Sequence, residues 1–361
     1  MRVLVVTGSS GGHIFPAVAL VQELTHSEAQ LLLALPRGTI FDPLEIAPVQ
    51  VKYLPAVNLS LKLNKKNLLG LYAFFCCAWE SFKLILKFKP EVVVGFGSLN
   101  TLPLVFWAWF FRIKTIIHEQ NVICGRANRL LSKLVDKVAI SFSATGCGLN
   151  IAPDKIVLTG NPLRREMQLL DKRRAREFFN FKEEGFTVLV TGGSQGAQRL
   201  NAVCFEVFSA YPQKERLQVI HICGRRDLGD LKEKYAASGL RYQLFDFFPR
   251  MQYAYSASDL VICRAGATTI AELQKFKIPA ILVPYPFAYA HQAANARVLE
   301  AFKAALVIDE QELTAERLSV EFARMPDDPQ RLAQMRRGYP CQEQPDAAKL
   351  LAKEVLSAHL M

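Results

Sequence analysis

Neither of the two glycine-rich turns in this 361-residue sequence is followed by the lysine of a P-loop, and neither keeps the G-x-G-x-x-G spacing of a dinucleotide fingerprint. That argues against a P-loop nucleotidase and against a nicotinamide oxidoreductase. The eight cysteines form no C-x-x-C pair and no His/Cys spacing suited to zinc, so reduced thiols in a cytosolic protein are expected. No D-x-D pair follows a strand, since "DLGD" and "PDD" fall in charged, loop-like surroundings; no metal and no cofactor are expected. The N-terminus lacks the apolar core and cleavage site of a signal peptide, so export is not expected. Long hydrophobic runs are also few. "LLGLYAFFCCAW" (68–79) and "LPLVFWAWFF" (102–111) are shorter than the roughly 18 to 20 residues of a spanning helix, and no transmembrane segment is expected.

What is present is an ordinary globular composition, 51% apolar and 21% charged, at a length that suggests about two domains. The net charge of +11 is uneven. Residues 1–159 hold 16 Lys and Arg against 9 Asp and Glu, so the first half carries +7. Such a surplus suits a nucleic acid, an anionic membrane or a phosphorylated substrate, or it is simply a soluble basic surface.

Apolar runs of strand length alternate with helical stretches: "RVLVV", "EVVVGFG", "TIIHE", then "TVLVTGG", "QVIHICG", "DLVICRAG" and "AILVPY". This is the rhythm of doubly wound parallel sheets. The rhythm restarts. "VVTGSSGGH" (5–13) aligns with "LVTGGSQGA" (189–197) at an offset of 184, pairing Thr7 with Thr191, Gly8 with Gly192, Ser10 with Ser194 and Gly12 with Gly196. Two Rossmann-like sheets are therefore expected, with a boundary near "TGNPLRREM" (159–167). Ligands of such sheets sit beyond the carboxyl ends of the strands, so two of them facing each other make a cleft.

The first glycine turn leads into a helix expected to start near His13 to Phe15, with Pro16 in its first turn. Bare amides and the positive end of a helix dipole make such a turn an anion site. His13 has three possible roles there: holding the turn, meeting a phosphate, or taking a proton. The second copy has Ala197 at that position, so the turn itself does not demand an imidazole. In "CRAGATTIAEL" (263–273) a further strand end runs into a helix. Glu272 there either closes a capping box with Thr269 or accepts the hydroxyls of a ribose.

"GSSGGHIFPA", "HEQN" (118–121), "GNPLR" (160–164), "GGSQGAQRLN" (192–201), "CRAGATTIAE" (263–272) and "HQAANA" (291–296) together resemble, in order and spacing, the MurG family of bacterial N-acetylglucosaminyltransferases. The resemblance spans nearly the whole chain and implies an α/β GT-B fold, two Rossmann-like doubly wound parallel-sheet domains facing across a cleft. It implies an acceptor and membrane-associating domain of residues 1–162 plus a C-terminal helix at about 345–361, and a UDP-GlcNAc domain of residues 163–344. The implied reaction moves GlcNAc from UDP-GlcNAc, with inversion, to an undecaprenyl-pyrophosphoryl-MurNAc-peptide, turning lipid I into lipid II. The implied setting is peripheral, on the cytoplasmic face of the bacterial inner membrane, in cell-wall synthesis with its links to cell shape and division. No nucleic-acid partner is implied. Other enzymes of the same architecture, such as lipid glycosyltransferases and UDP-GlcNAc 2-epimerase, and a non-catalytic UDP-GlcNAc binder, are the alternatives.

Carried over motif by motif, the donor would meet Ser10, Gly11 and Gly12 of the first turn and Ser194 and Gln195 of the second. Asn121 would contact GlcNAc, and Arg164 the diphosphate or uracil side. Phe248 would lie against uracil, and Ala267, Thr268 and Thr269 would line the diphosphate. Glu272 would hold the ribose, and Gln292 and Asn295 the sugar hydroxyls. The chain departs from the family pattern at Ser9 and Ser10, where Gly-Thr is usual, at Ser98-Leu99, where Gly-Tyr is usual, and at His291, where glutamine is common.

Glycosyl transfer needs donors for the leaving diphosphate and a base for the attacking hydroxyl. His13 is the expected base, with His118 and Glu119 as rivals. Leu68, Tyr72, Phe75 and Trp79 fall on one helical face flanked by Lys62, Lys65, Lys66, Lys83, Lys87 and Lys89. That face either packs in the domain core or lies in the interface of an anionic leaflet, and Phe106, Trp107, Trp109 and Phe110 would extend it.

Overall fold

A computed structural model describes residues 1–39, 46, 48–57, 65–193, 196–286, 290–340 and 346–358. The chain divides into two units, Met1–Arg165 with Gln344–Met361, and Glu166–Glu343.

In the first unit seven strands, β1 (Arg2–Val6), β2 (Gln30–Pro36), β3 (Gln50–Leu54), β4 (Val92–Gly95), β5 (Lys114–Glu119), β6 (Lys137–Ile140) and β7 (Ile156–Leu158), form one parallel sheet. Its order is β3-β2-β1-β4-β5-β6-β7. Val3 to Val6 are buried on both faces, as an uninterrupted apolar strand requires when helices cover both sides of a parallel sheet. The C-terminal helix Ala347–Ala358 belongs to this unit. It lays Leu351, Ala352 and Val355 into the core shared with Val18 and Val21 of the first helix, and Lys137 pairs with Glu354 at 2.5 Å.

The second unit repeats the plan with β8 (Phe186–Thr191), β9 (Leu217–Ile222), β10 (Arg241–Phe245), β11 (Leu260–Cys263), β12 (Ala280–Leu282) and β13 (Ala305–Val307). They are ordered β10-β9-β8-β11-β12-β13, again all parallel. The strand order reverses at β1/β4 and at β8/β11, the switch points where crevices open in such sheets.

Two expectations about helices change. The first helix runs Gly11–Leu24, so it starts ahead of His13 and Pro16 is its sixth residue, buried inside it. The missing proline N–H there leaves only the Gly12 carbonyl without its i+4 donor. The apolar run at 68–79 is part of a helix, Lys65–Phe88, of 24 residues. Its stretch Leu68–Phe88 is long and apolar enough to cross a membrane by length and composition, so shortness does not exclude it. Its packing assigns it differently. Cys77, Leu84 and Ile85 enter the core against Leu4 of β1 and Leu32 of β2, which fixes the helix on the sheet.

Candidate functional site

In the first unit the site begins where β1 ends. Ser10 is the N-cap of the first helix in extended conformation (φ −88°, ψ 150°), but its hydroxyl makes no cap. It lies instead 2.7 Å from Nδ1 of His13. The first-turn amides of Gly11 and Gly12 have no intrahelical acceptor, and Gly12 is exposed. The imidazole lies across the turn after β4. A Cβ placed on Gly97 would fall 3.4 Å from its Cδ2 and 3.5 Å from its Nε2. Gly97 and Ser98 both have φ +77°, and a Cβ on Gly8 would lie 2.6 Å from that of Ser98, so the β1 and β4 turns close against each other only with glycine at position 8.

The "HEQN" residues stand at the end of β5. His118 is fully buried, its Nε2–H donating to the Gly160 carbonyl at 2.9 Å. Burial drives its pKa down to about 4, against the opposing pull of that carbonyl and of Glu119. Glu119 is 2% exposed and accepts four hydrogen bonds, from the amide and side chain of Asn121, the amide of Gly125 and the side chain of Asn128. Both rivals of His13 are thus enclosed: one is a neutral imidazole and the other a scaffold for its own loop. Asn128, which sequence reasoning did not single out, also donates to the His118 carbonyl at 3.0 Å. It lies seven residues beyond the motif, in the first turn of the helix Arg126–Leu131, and no sequence signal marks it. Arg164 is 6% exposed, its guanidinium 4.3 Å from the centre of the Phe15 ring.

In the second unit the glycine turn follows β8. Gly193 and Gly196 have positive φ, and a Cβ on Gly196 would stand 2.3 Å from the carbonyl oxygen of Cys223, so this turn packs directly on the end of β9. The helix then starts at Gln198. In the aligned first copy it starts three positions earlier, so the shared glycines do different work: Gly12 has open space where its Cβ would be. Ser194 and Gln195 lie outside the described residues.

After β11 the helix Ala267–Phe276 starts from Gly266 without a side-chain cap. Thr269 is its third residue, so of the two alternatives for Glu272 the capping box does not form. The Glu272 carboxylate accepts instead from the Tyr255 hydroxyl at 2.8 Å, and both groups are buried. Burial, and then Glu272, push the Tyr255 pKa well up, so the phenol stays a donor. Thr268 presents, in the same first turn, a buried hydroxyl with no partner among the described residues. Gln292 Oε1 accepts from the amides of Ala265 (3.2 Å) and Tyr285 (2.9 Å), tying the loops after β11 and β12 together. Arg264, itself buried, pairs with the half-buried Glu310.

Residues 3–140 match the glycosyltransferase family 28 N-terminal domain and residues 187–351 the family 28 C-terminal domain. The curated UDP-N-acetylglucosamine--N-acetylmuramyl-(pentapeptide) pyrophosphoryl-undecaprenol N-acetylglucosamine transferase of Myxococcus xanthus is 36% identical over 98% of this chain and 91% of its own length. Its counterpart from Alkaliphilus metalliredigens is 32% identical over 99% of each. The chain belongs to the MurG family of glycosyltransferases. The crystal structure of Acinetobacter baumannii MurG superposes with a TM-score of 0.75 at 24% identity, covering 99% of this chain and 100% of the other. UDP-GlcNAc 2-epimerase from Neisseria meningitidis shares the fold at TM-score 0.73 and 13% identity, covering 99% and 100%.

Two residues that the MurG-family resemblance turns toward the donor are placed otherwise. The Phe248 ring is 8% exposed and packs against Phe178, Phe179 and Phe245, so little of its face is open to uracil. Asn295 is fully buried and donates to the Ala265 carbonyl at 3.2 Å, which braces that loop. Leu68, Tyr72, Phe75 and Trp79 are 60 to 70% exposed, which removes the reading that this face packs in the domain core.

Proposed function

We propose that this chain transfers GlcNAc from UDP-GlcNAc to an undecaprenyl-pyrophosphoryl-MurNAc-peptide, with inversion, as the lipid I to lipid II step of peptidoglycan synthesis. The observation that carries this is near-full-length identity of 32 to 36% to enzymes named for that reaction. The acceptor and membrane belong to residues 1–162 with the C-terminal helix, and the donor to residues 163–344. His13 Nε2 removes the proton of the attacking hydroxyl. The hydroxyl oxygen bonds to the anomeric carbon as the bond to UDP breaks, and the electron pair leaves on the diphosphate.

Support for His13 is comparative: it is half-buried at an open helix start, whereas His118 and Glu119 are enclosed by their own hydrogen bonds. Departing charge is met by preorganised amides at the starts of helices, with Ser10, Gly11, Gly12, Ser194, Gln195, Ala267, Thr268 and Thr269 as the contacts and Arg164 as the cation. Glu272, oriented by Tyr255, takes the ribose; Asn121 and the Nε2 of Gln292 address the sugar.

The exposed apolar face of the helix Lys65–Phe88 seats the protein peripherally on the cytoplasmic, anionic surface of the inner membrane. Its role in cell shape and division follows from the product. Incubation with UDP-GlcNAc and a short-chain lipid I analogue is expected to give the disaccharide-linked lipid and UDP in equal amounts. Epimerised UDP-sugar without acceptor would instead mark a 2-epimerase, and donor binding with no UDP release a non-catalytic binder.

A further inference from the structure

Before the chain leaves the first unit it places two arginines, Arg164 and Arg165, and the first helix holds both. Arg164 reaches toward the start of that helix, its guanidinium 4.3 Å from the centre of the Phe15 ring. The ring lies against the opening turn, since a Cβ on Gly11 would stand 3.0 Å from its Cε2. Arg165 reaches the other way. Its Nη2 donates to the Gln22 carbonyl at 2.6 Å and to Nε2 of His26 at 2.7 Å, and its backbone amide donates to Oε1 of Gln22 at 3.0 Å. A guanidinium has donors only, so the imidazole nitrogen is the acceptor. Helix geometry puts about 10 Å of rise between residues 15 and 22, so two neighbouring side chains are drawn apart along one helix.

The contacts have a local cause. Residues 21–24, the last turn of the helix, include no lysine, arginine or histidine, although carbonyls at a helix end lack partners and favour a cation. Arg165 supplies one from a distant part of the chain. The amide held by Gln22 belongs to the peptide group that joins Arg164 to Arg165, so the same grip fixes the backbone at Arg164. The Phe15 ring then constrains the far end of the Arg164 side chain, and the anchored peptide constrains its root. We propose that Arg165, gripped by Gln22 and His26, is a positioning residue that sets Arg164 beside the first glycine turn. The inference rests on the reading above that Arg164 meets the departing diphosphate. One helix then places both the base, His13, and that cation. A helix cap would act alike whatever stands at position 164. A positioning residue acts only through Arg164.

The test is a double-mutant cycle of Arg165→Ala and Arg164→Gln, read as kcat/KM for UDP-GlcNAc with a short-chain lipid I analogue as acceptor. Arg165→Ala alone is expected to lower kcat/KM about fivefold, and to change it less than about twofold once Arg164 is replaced. Gln22→Ala releases the amide while the guanidinium keeps its backbone partner, and it gives a second cycle with the same pattern expected. That second cycle decides the matter where the Arg165 variant does not fold, as denaturant midpoints will show. Equal losses with and without Arg164 reduce Arg165 to a helix cap and overturn the proposal. Wild-type kcat/KM in both Arg165→Ala and Gln22→Ala overturns it as well. Either of these results leaves the reading of Arg164 standing. Wild-type kcat/KM in Arg164→Gln removes that reading, and the proposal with it.

Discussion

The hydroxyl of Ser10 sits 2.7 Å from Nδ1 of His13, across the first turn of a helix whose N-cap it occupies without capping. When Nδ1–H donates to that oxygen, Nε2 carries the lone pair that a general base needs. His13→Ala is expected to lower turnover about a hundred- to ten-thousand-fold with UDP-GlcNAc affinity unchanged. Ser10→Ala frees the tautomer, so a smaller loss of about tenfold in turnover is expected. Unchanged turnover in His13→Ala removes the histidine from the chemistry.

Tyr255 is the donor that fixes Glu272, and it is enclosed while the carboxylate keeps 9% of its surface exposed. Tyr255→Phe leaves a buried carboxylate short of one hydrogen bond, a loss of about 1 to 3 kcal/mol. Titration calorimetry should show UDP-GlcNAc bound about tenfold or more weakly, while KM for the lipid acceptor stays put. Wild-type donor affinity in this variant would separate Glu272 from the ribose.

Two positive-φ positions differ in what a side chain would meet. Gly196→Ala forces a Cβ to 2.3 Å from the Cys223 carbonyl oxygen, so the turn must move. A loss of more than about 2 kcal/mol in denaturant unfolding and loss of donor binding are expected. Ser98 already carries a side chain at φ +77°, and Ser98→Gly removes that strain along with a 3.2 Å hydrogen bond from Asn100. A change within about 1 kcal/mol, toward greater stability, is expected.

His118 and His221 are both fully buried, and burial lowers their pKa values to about 4 and about 3 from 6.5. His221 is held between the Tyr235 hydroxyl and Asn201. Below pH 6.5 the unfolded chain binds protons at these sites that the folded chain does not. Their contribution is therefore complete above pH 6.5 and is lost as pH falls toward 4, each site costing about 1.4 kcal/mol per pH unit. Denaturant midpoints between pH 7 and pH 5, above most carboxylate titration, should fall, and His221→Gln should flatten the slope by about one proton.

The glycine turns were legible because their cause is local: an apolar strand, then residues that tolerate left-handed backbone, then a helical period. The same signal misplaced the first helix's start, because a proline in a first turn and one a turn deeper look alike when no hydrogen bonds are visible. Thr269 and Glu272 have capping-box spacing, yet the helix begins at Ala267, and spacing alone does not say which residue is the cap. Tyr255 and Asn128 were not found at all. Their partners come from other elements, and nothing in their immediate neighbours marks them.

By itself the sequence determined that there are two parallel sheets, each opening with a glycine turn, since unbroken apolar strands are stable only when covered on both faces. It also determined the family, through motifs whose order and spacing survive along the chain. Tertiary structure alone decided that Phe248 joins an aromatic cluster, that His118 is sealed and neutral, and that Leu68, Tyr72, Phe75 and Trp79 face outward while Cys77, Leu84 and Ile85 face the sheet. An amphipathic period shows that a helix has two faces. Only the elements packed against it settle which face is covered.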